Sequence, residues 1–433
     1  MRFLGIGGYC DLGALYQRLA AAGHDVRVYI DEEESHGIFA GILPRTEDWH
    51  ADLPWIRAAG GDGVILFEGS ILGETQDSLR RQGYQVIGGS GLGDRLEGDR
   101  QFGQQILREL GLPIARSHHF TDFDTAIEFV RGARRRYVFK NNRADSLRTS
   151  SYVGDMADGT DVIAFLSLRR AQWRASECLN FILMEHLEGV EVGVGAYFNG
   201  TDFLTPACLD WEHKRLFPGD LGELTGEMGT IVTYRGAERI FNATLARLVD
   251  PLRESGYCGY INLNLIANEQ GLWPLEFTSR FGYPGFAICG ALQREPWDGI
   301  FHRMLHGGAS EIATLPGYAA GIVLTVPPFP YEQGYAELSK GTEISFRQPM
   351  SQADHDHLYL GEVALREGRL VTDGTIGYVG VATGIGASVA QARDQAYALA
   401  RKVVVPNLRY RTDIGDRLIA ADFARLRRLG YVE

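Results

Sequence analysis

The stretch 259-GYINLNLIANEQGLWPLEFTSRFG-282 contains two apolar strands joined by a short polar turn. Alternate residues of a strand point to the same side, so Asn262 and Asn264 share one face of the first strand. The second strand carries Glu276 inside an apolar run and places Thr278 on the same face. Oxygen ligands on adjacent strands suit Mg²⁺, which takes one or two carboxylates together with substrate phosphates. We therefore expect a magnesium site on this hairpin; a surface hairpin with solvated side chains is the alternative.

The chain before this hairpin alternates short apolar runs with helical periodicity. Alternating strands and helices predict an α/β fold with a parallel sheet and crossover helices. Ligand sites in such sheets collect at the C-terminal ends of the strands, which here carry Gly7, Gly8 and Glu68. The strands are predicted at residues 2–8, 25–31, 62–67 and 84–89.

The pattern changes after about Arg100. Residues 180–200 alternate like antiparallel strands, and residues 238–256 have the periodicity of one long helix. A third composition begins near Glu311, with several short strands and a helix at 389–404. Because no internal repeat or low-complexity linker separates these parts, we expect the domains to pack into one body.

The composition restricts the partners of the protein. Its 433 residues are 45% hydrophobic and carry a formal net charge of −12. An acidic chain lacks the basic face that nucleic acid or an anionic membrane needs, although a few local Lys and Arg can still bind a small anion. The five scattered cysteines predict free thiols in a reducing compartment. Residues 1–8 enter the first strand directly and no apolar run is long enough to span a bilayer, so we expect a cytoplasmic protein.

Several strand ends in the middle of the chain carry groups that suit a nucleotide. Lys140 ends the apolar strand YVFK and can place its ammonium on a phosphate. In MEHLEGVEV, the backbone of Glu185 and Leu187 can face an adenine edge, and Glu191 can hold ribose hydroxyls. Each residue alone is an ordinary strand end, but their order along the chain forms a pattern.

That order resembles the ATP-grasp superfamily and, within it, the phosphoribosylamine–glycine ligases. EHKRLFPGDLGELTGEMGT is similar to the family's DHKR…G…TGGMG segment, and LEFTSRFGYPG is similar to its LEFNxRFGDPE. Further similarities run nearly from end to end, through DGVILFEGSILGETQDSLRRQGYQVIGG, KGTEISF and YRTDIGDRLI. The resemblance implies an ATP-grasp fold with a parallel-sheet N-terminal (pre-ATP-grasp) domain at 1–101, an ATP-grasp domain at 102–311 with a lid at about 115–185, and a C-terminal mixed α/β domain at 312–433.

The resemblance also implies a reaction. ATP, with Mg²⁺, would phosphorylate a small carboxylic acid, such as glycine or another amino acid, and an amine would attack the acyl phosphate. The residues implied are Arg280, Lys214 and Arg215 for catalysis; Arg100, Lys140, Arg148, Glu185, Leu187 and Glu191 for the nucleotide; Glu276, Asn264 and Thr278 for Mg²⁺; and Gly7, Gly8, Glu68, Gly226, Met228 and Gly229 for the substrates.

Several motif positions depart from the family. The phosphate-covering loop ADGLAAGKGV reads 141-NNRADSLRTSSYVG-154 here, with Arg148 in place of the second lysine. Arg100 replaces the lysine of LEGSK, Thr278 replaces the asparagine of LEFN, and 283-YPG-285 replaces DPE. The nucleotide side is partly kept and the ribose-phosphate side is mostly rewritten, which predicts a family relative with an altered substrate.

Two carboxylates, Glu68 and Glu362, fall in the rewritten segments. Carboxylates beside a phosphate dianion repel it unless they are paired. We therefore predict that phosphoribosylamine is a poor substrate, and that the amine is neutral or cationic at this place or is larger and anchored elsewhere. The alternative is that both acids point to solvent.

Other interpretations remain open at this point. The chain could bind nucleotide without ligase activity, or it could be a standard phosphoribosylamine–glycine ligase. A dinucleotide site is disfavoured because GIGGYCDLG has Cys10 where GxGxxG needs its third glycine, although Asp31 ends the second strand. His355-Asp356-His357 and His118-His119 lack further ligands at metal spacing and are predicted to lie in surface loops.

Overall fold

The computed structural model describes residues 1–70, 72–141, 151–173, 179–308 and 310–433. Its strands, numbered in chain order, are β1 Arg2–Gly7, β2 Asp25–Ile30, β3 Gly63–Phe67, β4 Gln85–Ile87, β5 Ser117–Phe120, β6 Tyr137–Asn141, β7 Tyr152–Val153, β8 Phe181–Glu185, β9 Val190–Asn199, β10 Cys208–Glu212, β11 Arg215–Phe217, β12 Leu221–Leu224, β13 Gly229–Thr233, β14 Cys258–Asn268, β15 Gly271–Thr278, β16 Tyr318–Thr325, β17 Ser345–Phe346, β18 Leu358–Leu360, β19 Val363–Arg366, β20 Arg369–Thr372, β21 Tyr378–Gly386 and β22 Val403–Val404.

The α-helices of the described residues pack on the faces of these sheets. They are α1 Gly13–Ala21, α2 Leu53–Arg57, α3 Gly73–Arg81, α4 Gly91–Gly98, α5 Arg100–Glu109, α6 Phe123–Ala133, α7 Thr160–Gln172, α8 Glu238–Ala243, α9 Val249–Glu254, α10 Gly285–Ala291, α11 Trp297–His306, α12 Tyr335–Leu338, α13 Gln352–Asp356, α14 Val389–Ala400 and α15 Phe423–Arg428.

The N-terminal sheet is parallel, as the alternation of strands and helices predicts. Its order is β2-β1-β3-β4, and every pair in it runs parallel. All five residues of β3, GVILF, are buried, because helices cover both faces of such a sheet. Gly7 and Glu68 lie at the C-terminal ends of β1 and β3, so the predicted edge of the sheet is formed.

The central sheet is antiparallel and has the order β15-β14-β9-β10-β13-β16-β21-β18. In β9, Val190, Val192 and Val194 face the main hydrophobic core, which leaves Glu191 and Gly193 on the opposite face. The sheet continues through β16, β21 and β18, so it extends beyond residue 311. The division into three domains stays a prediction.

A third sheet, with the order β5-β8-β6-β7, forms a smaller body with its own aromatic core. The ring of Phe181 stacks on those of Phe120 and Phe123, with centroids 5.7 and 5.2 Å apart. The antiparallel strands predicted over residues 180–200 are present, but β8 and β9 belong to different sheets. The link between them, residues 186–189, therefore connects the small sheet to the central one.

The single long helix predicted over residues 238–256 is wrong. Helix α8 ends at Ala243, a 3₁₀ turn follows at Leu245–Leu248, and α9 begins at Val249. Thr244 has φ −131° and ψ −87°, outside the helical region, and its hydroxyl donates to the carbonyl of Ile240 at 2.6 Å. Threonine competes for backbone partners in this way, which is why it interrupts helices. Apolar periodicity survives such a break and so could not reveal it.

Among the described residues, no helix is both long and apolar enough to cross a bilayer. The longest of these helices, α7, has only 13 residues and carries several charged side chains. A span of the hydrocarbon core needs about 20 apolar residues.

Candidate active site

One face of the central sheet carries polar side chains at alternate positions of neighbouring strands. On β14, Asn264 lies opposite Glu276 of β15, and Asn262 lies opposite Thr278, as the sequence alternation predicts. The pairing shifts by one residue just beyond Asn264, next to Pro274, which has no N–H for the ladder. Irregularities of this kind re-aim side chains beside active sites.

Three cationic side chains converge on the carboxylate of Glu276. Nη1 of Arg100 lies 2.9 Å and Nζ of Lys140 3.2 Å from Oε2, and Nζ of Lys214 lies 3.1 Å from Oε1. The charges of these cations, Lys140 first, hold the pKa of Glu276 well below its ordinary value. Glu276 therefore stays charged and holds three cationic groups together, and Arg100 and Lys140 among them suit phosphate groups.

Local structure places each of these cations. The side chain of Asp99 accepts from the N–H of Phe102 at 3.1 Å and caps α5, so Arg100 stands in the first turn of that helix. Lys140 is the fourth residue of β6, and its side chain is only 13% exposed. Burial, the largest cause, lowers the pKa of Lys140 in spite of the charge of Glu276.

Lys214 connects three carboxylates on the same face. Its Nζ lies 3.0 Å from Glu212 and 3.7 Å from Glu191, in addition to its contact with Glu276. Burial acts to lower the pKa of Lys214, but Glu212, Glu276 and Glu191 together raise it well above its ordinary value. Lys214 is therefore fixed as a cation between acids that would otherwise repel one another.

The residues opposite Glu276 fit a magnesium ion. The Nδ2 of Asn264 donates to Oε1 of Glu191 at 2.8 Å, while Oδ1 of Asn264 is buried with no hydrogen-bond partner among the described residues. A buried amide oxygen next to a carboxylate matches the oxygen ligands that Mg²⁺ prefers. Within the described ranges no group of three or more His, Cys, Asp or Glu side chains could hold a metal, so Mg²⁺ would also need phosphate oxygens or water.

A small apolar cluster beside these charges fits a flat base. Ala115, Val138 and Met184 are buried together, with Leu187 and Leu275 partly buried against them. The cluster combines residues of the small sheet, of the link after β8 and of β15. Of these residues the sequence predicted only Leu187, because the others look like ordinary core positions.

The backbone of Glu185 is partly occupied. Its N–H donates to the carbonyl of Arg116 at 2.9 Å, and its carboxylate lies 3.5 Å from Nη1 of Arg135. The predicted contact from Glu185 to a base is therefore limited to its carbonyl. Arg148 lies outside the described residues.

A cavity of about 610 Å³ opens next to Arg100. It has a strongly basic lining, which the sequence reasoning missed because the residues come from α5 and from the strand after it. Its cationic and imidazole side chains are those of Arg100, Arg108, Arg116, His118 and His119.

The glycine-rich segment of residues 210–230 folds as β10, the hairpin β11–β12 and the start of β13. Arg215 donates from Nη1 to the carbonyl of Gly222 at 2.7 Å, so its guanidinium holds this hairpin. Gly226 is exposed, but the Met228 side chain is fully buried in the core. A Cβ at Gly229 would lie 2.5 Å from the carbonyl of Gly321. Met228 and Gly229 therefore serve packing, and of their atoms only the backbone could reach a substrate.

Glu68 does not point to solvent. Its side chain is 4% exposed, and Oε2 accepts from the N–H of Asp11 at 2.9 Å. A Cβ at Gly7 would lie 2.1 Å from Oε2, so the glycine leaves room for this carboxylate, whereas Gly8 is open toward Glu32. Burial first, and the charge of Asp11 next, raise the pKa of Glu68 to about 8. Glu68 thus takes up the backbone N–H donor of Asp11.

Glu362 is also buried, with 7% of its surface exposed. Its Oε2 accepts from the N–H groups of Ile376 at 3.1 Å and Gly377 at 2.7 Å. The alternative that both acids are solvated is therefore wrong. Each carboxylate is bound to backbone N–H groups of its own chain.

Arg280 follows the β14–β15 hairpin and is already paired. Its Nε lies 3.0 Å from Oε1 of Glu97, whose Oε2 accepts from the N–H of Ser279 at 2.7 Å. Glu97, the first cause, raises the pKa of Arg280. The side chain is 31% exposed, so its outer nitrogens remain able to meet a carboxylate.

We expect Glu68→Gln to be more stable than the parent by an amount that grows as the pH rises. Because the pKa of Glu68 is raised from 4.5 to about 8, the folded state binds its proton more tightly and loses stability between these two pH values. At about 1.4 kcal/mol per pKa unit, the loss is on the order of 5 kcal/mol. The free energy of unfolding of the variant, measured in urea, should therefore not show this decrease with rising pH. Glu33→Gln, an exposed acid, is the matched control, and parallel pH curves for Glu68→Gln and the parent would refute the burial argument.

Comparison with known proteins agrees with this geometry. Residues 98–286 match the model of the phosphoribosylglycinamide synthetase ATP-grasp (A) domain, and residues 323–417 match that of its C domain. The chain is 27% identical over 379 residues to the phosphoribosylamine–glycine ligase of Pseudomonas aeruginosa, covering 83% of each, and 28% identical over 410 residues to that of Rhizobium meliloti, covering 89% and 90%.

Solved structures show the same fold. The crystal structure of phosphoribosylamine–glycine ligase from Thermotoga maritima superposes with a TM-score of 0.73 at 22% identity, covering 96% of this chain and 100% of that one. Biotin carboxylase from Campylobacter jejuni gives a TM-score of 0.63 at 10% identity, covering 98% of both chains. The predicted ATP-grasp fold, with a parallel N-terminal sheet, is confirmed.

Proposed function

Since the chain belongs to the phosphoribosylglycinamide synthetase family of ATP-grasp ligases, which form C–N bonds, we propose that it joins a small carboxylic acid to an amine other than phosphoribosylamine. The observation that carries the ligase proposal is the convergence of Arg100, Lys140 and Lys214 on Glu276, with the free oxygen of Asn264 opposite. This cluster combines the charges that a triphosphate and a divalent cation need.

Each part of the cluster has a role in phosphoryl transfer. Lys140 and Arg100 neutralise phosphate oxygens, and the apolar cluster around Met184 and Leu187 receives the base. Glu276 and Asn264 would hold Mg²⁺, which would supply further charge neutralisation when bound. Phosphoryl transfer needs positioning and charge neutralisation more than covalent help from the protein.

The reaction proceeds in two substitutions. A carboxylate oxygen of the acid attacks the γ-phosphorus of ATP, and the bond from that phosphorus to the β–γ bridging oxygen breaks, releasing ADP. The amine then attacks the acyl carbon, the bond to the phosphate oxygen breaks, and the amine loses a proton. Arg280 follows Thr278 by two residues and Lys214 contacts Glu276, and in this reaction they would hold the carboxylate and the departing charge.

Glu68 and Glu362 support the altered amine. Both carboxylates occupy backbone N–H groups that a phosphate would otherwise use. A phosphate brought there would find these N–H groups already donating to side chains of the protein itself, so it would gain no backbone hydrogen bond from them. The amine of this enzyme therefore lacks a phosphate at this position.

A phosphate-release assay tests the proposal. ATP, Mg²⁺ and each of the amino acids are supplied with ammonium, ethylamine, ethanolamine or fresh phosphoribosylamine. We expect Mg²⁺-dependent phosphate release with an acid and a simple amine, and little release with phosphoribosylamine. Release at ordinary enzyme rates with glycine and phosphoribosylamine would restore the standard family reaction. Stabilisation by ATP without any release would indicate a nucleotide-binding protein.

A further inference from the structure

A second, small cavity of about 40 Å³ lies on the same face of the central sheet, two strand positions from Glu276. Three acids line it, Asp210 and Glu212 on β10 and Glu227 before β13, and the side chains of Asp210 and Glu227 are more than nine-tenths buried, with 6% and 7% exposed. A water molecule needs roughly 10–15 Å³, so the cavity has room for a small polar head and a carbon or two.

Three oxygen atoms of this cavity have no hydrogen-bond partner in the part of the chain that the structure describes. They are Oδ1 of Asp210, Oε1 of Glu227 and Oγ1 of Thr230, and the Thr230 side chain is 2% exposed. Unpaired buried polar atoms cost free energy and are rare in folded proteins. Three acceptors around a small cavity match the three N–H donors of a primary ammonium group.

The surrounding contacts fix these acids in place. Nδ2 of Asn262 donates to Oδ2 of Asp210 at 2.6 Å, which leaves Oδ1 for the cavity. A Cβ at Gly193 would lie 2.1 Å from Oδ1 of Asp210, so the glycine of β9 makes room for the carboxylate. Glu212 also lines the cavity, but Lys214 lies 3.0 Å from it. Among the described residues neither Asp210 nor Glu227 lies in an ion pair, although the charge of Lys214 still acts on both.

We propose that Asp210 and Glu227 bind the protonated primary amino group of an organic substrate, with Thr230 accepting its third hydrogen bond. The inference rests on the proposed ligase function and names a recognition element for it. The amino group belongs either to the amine substrate before it attacks or to an amino acid that supplies the carboxylate. In both cases the cavity selects small alkylammonium compounds.

Two further observations agree with a cationic ligand. Glu227 stands where the related TGGMG segment has glycine, and Gly285, which also lines the cavity, stands where RFGDPE has glutamate. Relative to the family motifs, this cavity therefore lacks an acid at Gly285 and gains one at Glu227. Burial, followed by the charges of the neighbouring acids, raises the pKa values of Asp210 and Glu227 well above their ordinary values, and a cation bound between them would lower both.

The experiment measures binding in the absence of ATP. Thermal denaturation of the full chain is followed with increasing ethylammonium chloride, against NaCl at equal ionic strength. We expect ethylammonium to raise the melting temperature of the parent. Charge-assisted hydrogen bonds are worth roughly tenfold or more in affinity, so Glu227→Gln and Asp210→Asn should each weaken binding at least about tenfold. Glu223→Gln, in the same segment but paired with Tyr331 outside the cavity, should bind like the parent.

Comparison of different ligands determines which substrate supplies the amino group. Tighter binding of ethylammonium than of zwitterionic glycine or β-alanine assigns the cavity to the amine substrate, and the reverse order assigns it to the acid. Equal responses of the parent and of folded Glu227→Gln and Asp210→Asn would overturn the proposal, as would a response to MgCl₂ that the same variants lose. Because the binding experiment needs no turnover, its result can be interpreted even if the ligase proposal fails.

Discussion

Glu276→Gln is expected to lower ATP turnover by roughly 10³-fold or more while the protein stays folded. The substitution keeps the shape of the side chain and its ability to accept from Arg100, but it removes the charge on which Arg100, Lys140 and Lys214 converge. It also removes the carboxylate that would share Mg²⁺ with Asn264. Turnover is measured as ADP formation with the acid and amine identified in the phosphate-release assay.

The matched control is Glu269→Gln, on the same hairpin. Glu269 is 68% exposed and pairs with Arg425 at 3.2 Å, not with the cations that surround Glu276. Its variant should turn over like the parent, and both variants should retain a cooperative thermal transition. If Glu276→Gln kept parental turnover, the magnesium and phosphate assignments of this face would both be wrong.

The pairing of Asn264 with Glu276 could be predicted because strand alternation is local. Polar side chains inside an apolar run reveal both the strand and the face that they share. The same reasoning identified Lys140 at the end of its strand. The parallel sheet before it followed from the order of elements, since a strand that returns parallel needs a crossover.

The acidic cavity could not be predicted in this way. Asp210, Glu227 and Thr230 come together only because β10 and β13 are neighbours, and the sequence does not state which strands pair across a long separation. The burial of a side chain also cannot be predicted from the sequence when its residue type is ordinarily exposed, as glutamate is. Glu68 was expected to repel a phosphate, but it folds back onto the N–H of Asp11 and fills the place of an anion.

The central sheet shows the same limit on a larger scale. Strand β16 pairs with β13, so the sheet of the ATP-grasp region extends into the residues after 311. A change of composition near Glu311 suggested a boundary, but composition does not report hydrogen bonding between strands. Resemblance to a family supplied the fold, and the positions that depart from the family needed coordinates to interpret.

Lys214→Met is expected to destabilise the protein and to lower turnover at least about 100-fold. Without Lys214, the carboxylates of Glu212, Glu276 and Glu191 lose the cation that lies within 3.0–3.7 Å of each of them. Removing one partner of a buried pair costs about 3–5 kcal/mol, and because the Lys214 side chain is 28% exposed we expect a smaller loss, on the order of 2 kcal/mol. Urea unfolding measures this loss.

Magnesium should then restore part of the stability of Lys214→Met, and this distinguishes a metal site from an ordinary ion-pair cluster. The freed carboxylates and the unpartnered oxygen of Asn264 would bind the divalent cation, so MgCl₂ should raise the melting temperature of the variant more than that of the parent. Lys402→Met is the control, because Lys402 lies 2.7 Å from Asp354 in an ion pair remote from this face. Its variant should gain nothing beyond the parental response. An equal response to MgCl₂ in all three proteins would mean that the acids around Lys214 hold no metal, and the positive charge of Lys214 would then be their permanent counter-ion.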